Sequence, residues 1–200
     1  MTKKPFWAYY LSMLIFLGFI IIAYAINVKD YVNDSLLMMA LLSILFFNYE
    51  LLKLKPWTYL VITFAFAFHN LGVFGYYDVS PLFLQWDHIT HLFGEFAAAL
   101  FVYNYIYESG FFKNKNKKEI FVALSMIVLI VLGIGVLVEF LEFFGYFIVG
   151  EGLGILGHGA GDINTEFINN ECFNTMFDFI YNTIGAVIGT LFMRYGLKKK

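Results

Sequence analysis

The stretch Ile120–Ile148, IFVALSMIVLIVLGIGVLVEFLEFFGYFI, decides the fold. From Ile120 through Val138 it carries no charge. About 20 apolar residues, rising 1.5 Å each, cross a hydrocarbon core roughly 30 Å thick. The same run then places Glu139 and Glu142 among Phe and Leu, near its far end. An ionisable group at that depth costs about 2.5–3.5 kcal/mol on insertion scales, so it is usually there for function. One segment therefore predicts both a membrane span and a polar site inside the membrane.

Working outward, the whole chain is 60% apolar and 21% aromatic, far above the balance of a soluble protein. Apolar runs of spanning length lie at about 6–28, 35–52, 57–77, 87–107, 120–148 and 174–195. The expected fold is all-α: a single compact bundle of about six transmembrane helices. The run at 35–52 is the shortest and carries Asn48 and Glu50. Ala23-Tyr24-Ala25 fits a signal-cleavage pattern, but the preceding apolar stretch is longer than a signal core and reads as a retained span.

Of the 13 Lys and Arg residues, all but Lys29 fall before the first span, between spans two and three, between four and five, or at the end of the sixth and beyond it. Positive charge marks the cytoplasmic side, so both termini are expected there, in a multi-pass plasma-membrane protein. Trp7, Trp57 and Trp86 each stand at a span end, where interfacial aromatics belong. The single cysteine, Cys172, excludes an internal disulfide and a Cys-based zinc knuckle. No soluble basic patch interleaved with aromatics is present, so membrane lipid, and not nucleic acid, is the expected partner. Oligomeric state has no signature in the sequence.

Nearly all the acids and histidines within the spans share one depth, near the outer side. With span four starting outside at Asp87, His91 lies roughly 6 Å in and Glu95 roughly 12 Å in. Glu142 and Glu139 lie about 10–15 Å below the outer end of span five, and Asp178 and Asn182 about 6–12 Å into span six. His69 in span three is at a comparable level. Asp87, His91 and Glu95 recur every four residues and share a helix face, as do Asn174, Asp178 and Asn182. Glu139 and Glu142 are three apart. His88 falls about 100° from the Asp87 face and is expected to point elsewhere.

Carboxylates and imidazoles on facing helices suit zinc, iron or manganese, with Asp87, His91, Glu139, Glu142 and Asp178 as the candidate ligands. His69, His88, Glu95, Asn174, Asn182 and Asp162 are candidate supporting residues. No HExxH or ExxH motif specifies a metal. A second reading is acid–base chemistry on a lipid-linked envelope molecule. A third is hydrogen-bonded helix packing, worth about 1 kcal/mol per contact, which explains one or two such residues better than eight at one depth. A transporter or ion-handling protein would place its polar groups near the midplane, within reach of both sides. A non-catalytic subunit of a membrane complex would turn polar faces toward a partner. The glycine-rich outer loop at about 149–173 reads as a connector or a lid, and Gly185-Ala-Val-Ile-Gly189 as a close helix contact.

Asp87-His88-Ile89-Thr90-His91-Leu92-Phe93-Gly94, Glu139-Phe140-Leu141-Glu142 and Asp178-Phe179-Ile180-Tyr181-Asn182 with Gly185 stand in a telling order. Over about residues 57–192 this order resembles the YjdF-like membrane proteins and, more broadly, the VanZ-like proteins. The resemblance implies that the family's polar residues correspond to Asp87, His91, Glu139, Glu142, Asp162 and Asp178. Asn174 departs from it, standing where the YjdF-like pattern has Asp before Thr175, and the stretch between Asp162 and Asn174 is longer than the family's. The likeness implies an integral membrane protein and supplies no substrate or reaction.

Overall fold

A computed structural model describes residues 4–28, 32–77, 80–149 and 171–196. Among them every regular element is helical. The helices are α1 (Phe6–Ala25), α2 (Val32–Phe47), α3 (Pro56–Leu71), α4 (Trp86–Glu108), α5 (Lys117–Val149) and α6 (Glu171–Leu191). Short π-helical turns, Gly72–Tyr76 and Phe192–Gly196, extend α3 and α6. The architecture is a helical membrane bundle.

Local chemistry sets the boundaries. Pro56 opens α3, where its missing N–H costs nothing and its fixed φ suits the first turn. Gly75, at φ +123, bends the chain out of α3. A reciprocal cap opens α5: Asn116 Oδ1 accepts from the Glu119 N–H at 3.0 Å, and Glu119 Oε2 accepts from the Asn116 N–H at 2.9 Å. That cap starts the helix at Lys117, three residues before the apolar run. Its 33 residues make a rod of about 50 Å, so the basic first turn stands clear of the hydrocarbon.

Four segments are long and apolar enough to cross a membrane: Phe6–Ala25, Pro56–Tyr76, Lys117–Phe144 and Thr175–Gly196. The two others have separate reasons for falling short. α2 has 16 residues, about 24 Å of helix. It also begins earlier and ends earlier than the run at 35–52 suggested, which brings Asp34 inside the helix. α4 has 23 residues but carries Asp87, His88, His91 and Glu95, all buried. Sheltered by its neighbours, α4 has no need of an apolar surface.

Two apolar cores share the bundle. Phe16, Leu42, Phe46, Tyr59 and Ile62 join α1, α2 and α3. Leu100, Tyr103, Ile127, Val131 and Ala186 join α4, α5 and α6. Polar pins cross the first: Ser12 to Thr63 at 2.7 Å, the Tyr59 hydroxyl to the Leu42 carbonyl at 3.1 Å, and Ser35 to Asn70 at 2.6 Å. In the second, α6 lies almost backbone to backbone on α4. A Cβ at Gly185 would stand 2.3 Å from the Leu92 carbonyl oxygen, and one at Gly189 2.8 Å from that of Phe96. Only glycine permits this approach.

The bundle has two chemically different ends. At one, Lys4 donates to the Phe47 carbonyl, Lys53 to the Glu108 carbonyl and Ser109, and Lys55 pairs with Glu108 at 2.8 Å. Asn104 also donates to the Lys53 carbonyl there, and the Arg194 charge stands close to Tyr103. The acids and histidines gather at the other. Trp86 differs from its expected interfacial place: it is buried, stacked on Phe68 at 5.4 Å, with its indole N–H donated to the Phe68 carbonyl at 2.9 Å.

Candidate metal centre

The site is built where the first turns of α4 and α6 meet the last turns of α5. His91 is its hub. Its Nε2 lies 3.5 Å from Asp87 Oδ1, 3.6 Å from Glu139 Oε1 and 3.9 Å from Asp178 Oδ1. Two groups of side chains bring their ligand atoms within 4.8 Å of one another: Asp87, His91 and Asp178, and His91, Glu139 and Glu142. The five candidate ligands thus come from three helices and converge on one imidazole.

The other ring nitrogen faces away from the acids. His91 Nδ1 lies 3.2 Å from Asn182 Oδ1. A carbonyl oxygen can only accept, so Nδ1–H is the donor of this bond and Nε2 faces the carboxylates. Asp178 is held in turn by His88, whose Nδ1 is 2.8 Å from Asp178 Oδ1. Here the structure departs from the sequence expectation, which pointed His88 elsewhere. α5 and α6 both pack on α4, so the polar sector of α4 is wide enough to take in two adjacent residues. His88 also stacks on Tyr181, ring centroids 4.9 Å apart and 9° from parallel.

The acids also meet one another. The Asp178 carboxyl is within hydrogen-bonding reach of Asp87, and Thr175 reaches Glu139. Two carboxyls bond each other only when one carries a proton. Among the described residues, no Lys or Arg approaches the cluster to neutralise it.

His69 stands beside this group without joining it. Its Nδ1 is 2.8 Å from the Tyr77 hydroxyl, which reaches Thr90 at 3.5 Å, and Thr90 donates to the Asp87 carbonyl at 2.7 Å. Asp34, Asp87 and His91 all lie within electrostatic reach of the His69 ring. Asp34 and Tyr77 were missed in the sequence, Asp34 because it precedes the apolar run and Tyr77 because an uncharged aromatic at a span end is unremarkable. A clue to Asp34 was available: an acid in the first turn of a helix faces the positive end of its dipole. Glu95 and Asn182 lie one turn deeper than His91 and Asp178. Asp162 and the glycine-rich loop are outside the described residues, and so is the side chain of Asn174.

Four buried polar atoms near this group have no hydrogen-bond partner among the described residues: Glu139 Oε1, Glu95 Oε2, Asn182 Nδ2 and His69 Nε2. The Nε2-to-oxygen separations of 3.5, 3.6 and 3.9 Å are too long for hydrogen bonds. They suit donors that share a cation: two atoms each bound to zinc at about 2.0–2.2 Å in a tetrahedron stand roughly 3.4 Å apart. The donor set and the orphaned Glu139 oxygen both fit a divalent metal.

Comparison with known proteins gives a family and no closer neighbour. No curated protein and no solved structure matches the chain. A family model described as "Predicted membrane protein (DUF2238)" matches residues 7–199. That span takes in all six helices but for Phe6, and every residue of the cluster, and the chain belongs to the DUF2238 family of membrane proteins.

Proposed function

We propose that this is a plasma-membrane protein whose outer half holds one divalent cation between Asp87, His91, Glu139, Glu142 and Asp178. The carrying observation is the set of His91 Nε2 separations, 3.5 to 3.9 Å from carboxylates of three helices. Charge supports it, because four acids held close in low dielectric need a cation or shared protons. Zinc, iron and manganese all accept this donor set. The orientation follows from basic residues gathered at the opposite end. At this depth the site is within reach of lipid headgroups, so a lipid-linked envelope molecule is the proposed substrate class. The finer likeness to YjdF-like and VanZ-like proteins is part of this reading.

A layered register argues against a transport path. The polar layers of α4, α5 and α6 are interrupted one turn below Glu95 and Asn182, where Ala99, Val131 and Ala186 stand fully buried in one apolar cluster. A conduit would need polar groups to continue past the midplane.

The second reading is a metal-free cluster of shared protons, favoured by the Asp178–Asp87 carboxyl contact. Metal analysis of the purified protein separates the two, with Asp178→Asn and Glu142→Gln. Under the metal reading, each change lowers bound metal and the metal-dependent part of thermal stability, and acid weakens binding as ligands take up protons. Under the proton reading the amides are tolerated, and a chelator changes nothing. Metal-free protein with chelator-insensitive stability would rule the metal out.

A further inference from the structure

His91 belongs to two sets of donors. Asp87 of α4 and Asp178 of α6 complete one, and Glu139 and Glu142 of α5 complete the other. Within each set the ligand atoms lie within 4.8 Å of one another, and no acid belongs to both. Two atoms bound to one cation stand no further apart than twice the bond length, about 4.4 Å for zinc. Each set therefore makes a shell of its own, and the five donors do not close on a single point. The protein also satisfies the two sets differently. Asp178 Oδ1 has His88 Nδ1 at 2.8 Å. Glu139 Oε1 has no hydrogen-bond partner among the described residues, although that side chain is only 10% exposed and the oxygen lies 3.6 Å from His91 Nε2. A buried acceptor left unmet is costly, so the α5 set has its own call for a cation.

His91 cannot serve both sets at once. With Nδ1–H given to Asn182, a metal-binding imidazole has one lone pair left, at Nε2, and it takes one cation. Building on the metal reading, we infer that the centre has two stations for its cation, filled one at a time: His91 with Asp87 and Asp178, and His91 with Glu139 and Glu142. Each station sets two carboxylates against a divalent ion, so charge balances in either. The first lies wholly on α4 and α6, which Gly185 and Gly189 bring backbone to backbone, and the second requires α5. The cation can thus change its carboxylate partners without leaving the imidazole.

The test titrates cobalt(II) into the metal-stripped full chain in lipid nanodiscs and reads the visible absorption bands of the bound ion. Glu139→Gln combined with Glu142→Gln should still bind one cobalt, as should Asp87→Asn combined with Asp178→Asn, and the two spectra should differ. Asp178→Asn combined with Glu142→Gln damages both stations and should bind at least about tenfold more weakly than either. A single five-donor shell would weaken alike in all three double variants, and a single three-donor site would lose cobalt in just one same-station pair. Either result overturns the proposal, as do two cobalt ions bound at once by the wild type. A wild type that binds no cobalt overturns the metal reading as well, so the two failures are told apart. Where a double variant does not fold, the wild-type spectrum decides. Two sets of bands, one lost in Glu142→Gln and the other in Asp178→Asn, support two stations, and one set that weakens in both overturns them.

Discussion

Each nitrogen of His91 has a different neighbour, and under the metal reading that asymmetry leaves Nε2 as the ligand atom. Asn182→Leu preserves volume but leaves Nδ1 without an acceptor. Thermal unfolding should show a loss of about 1–3 kcal/mol. Under the metal reading, calorimetry should also show affinity falling about 10–100-fold, the usual effect of losing a group that orients a metal-bound histidine. His88→Phe keeps a ring against Tyr181 but removes the 2.8 Å bond to Asp178. It should lower metal affinity with a smaller change in unfolding temperature. Equal affinity in both variants and wild type would mean that neither residue positions the site. In the sequence, Asp87, His91, Glu139, Glu142 and Asp178 stood out because charge in an apolar run is conspicuous. His88 was read as misdirected because the spacing on one helix says nothing about how many neighbours that helix has.

At the scale of the element, α4 and α6 are held together by backbone proximity. Gly185→Ala would drive a methyl to 2.3 Å from the Leu92 carbonyl oxygen, an atom that cannot move without the helix. Overpacking of this kind costs about 1–3 kcal/mol, and the shift should also disturb the site, since α6 carries Asp178 and Asn182. Gly94→Ala, on the same helix as Leu92, meets nothing within 4 Å. It should be neutral or stabilising by up to about 1 kcal/mol. Detergent-solubilised unfolding of the pair checks this, and equal effects would contradict the close packing. The helices themselves were legible to within a few residues, because apolar length and caps are local. The start of α2 was placed too late, since its first turn carries Asn33 and Asp34 and burial there comes from α3, far along the chain.

For the whole molecule, the division of charge between the two ends makes a topological prediction. In a Cys172→Ala background, a cysteine at position 115 should react only from the cytoplasmic side and one at 157 only from outside. The reverse pattern would invert the protein and place the acid cluster on the cytoplasmic face. The salt bridge of Lys55 with Glu108 at the basic end is half-exposed, so Lys55→Ala should cost no more than about 0.5 kcal/mol.

The sequence alone determined the helical membrane character, because apolar length is a local property weighed against a solvent of known thickness. It also determined the polar stripes, because the helical repeat puts every fourth residue on one face. Only the tertiary structure decided which stripes meet. Gly185 and Gly189 draw α6 onto α4, and that contact turns Asp178 and Asn182 toward His91 and closes His88 onto Asp178. Asp34 and Tyr77 come beside the cluster through helices distant in sequence. The layer of Ala99, Val131 and Ala186 that interrupts the polar column is unremarkable in any one helix. It acquires meaning only when α4 and α6, which run parallel, and α5, antiparallel to both, are set in register, since the neighbours of a buried group are chosen by packing across the bundle.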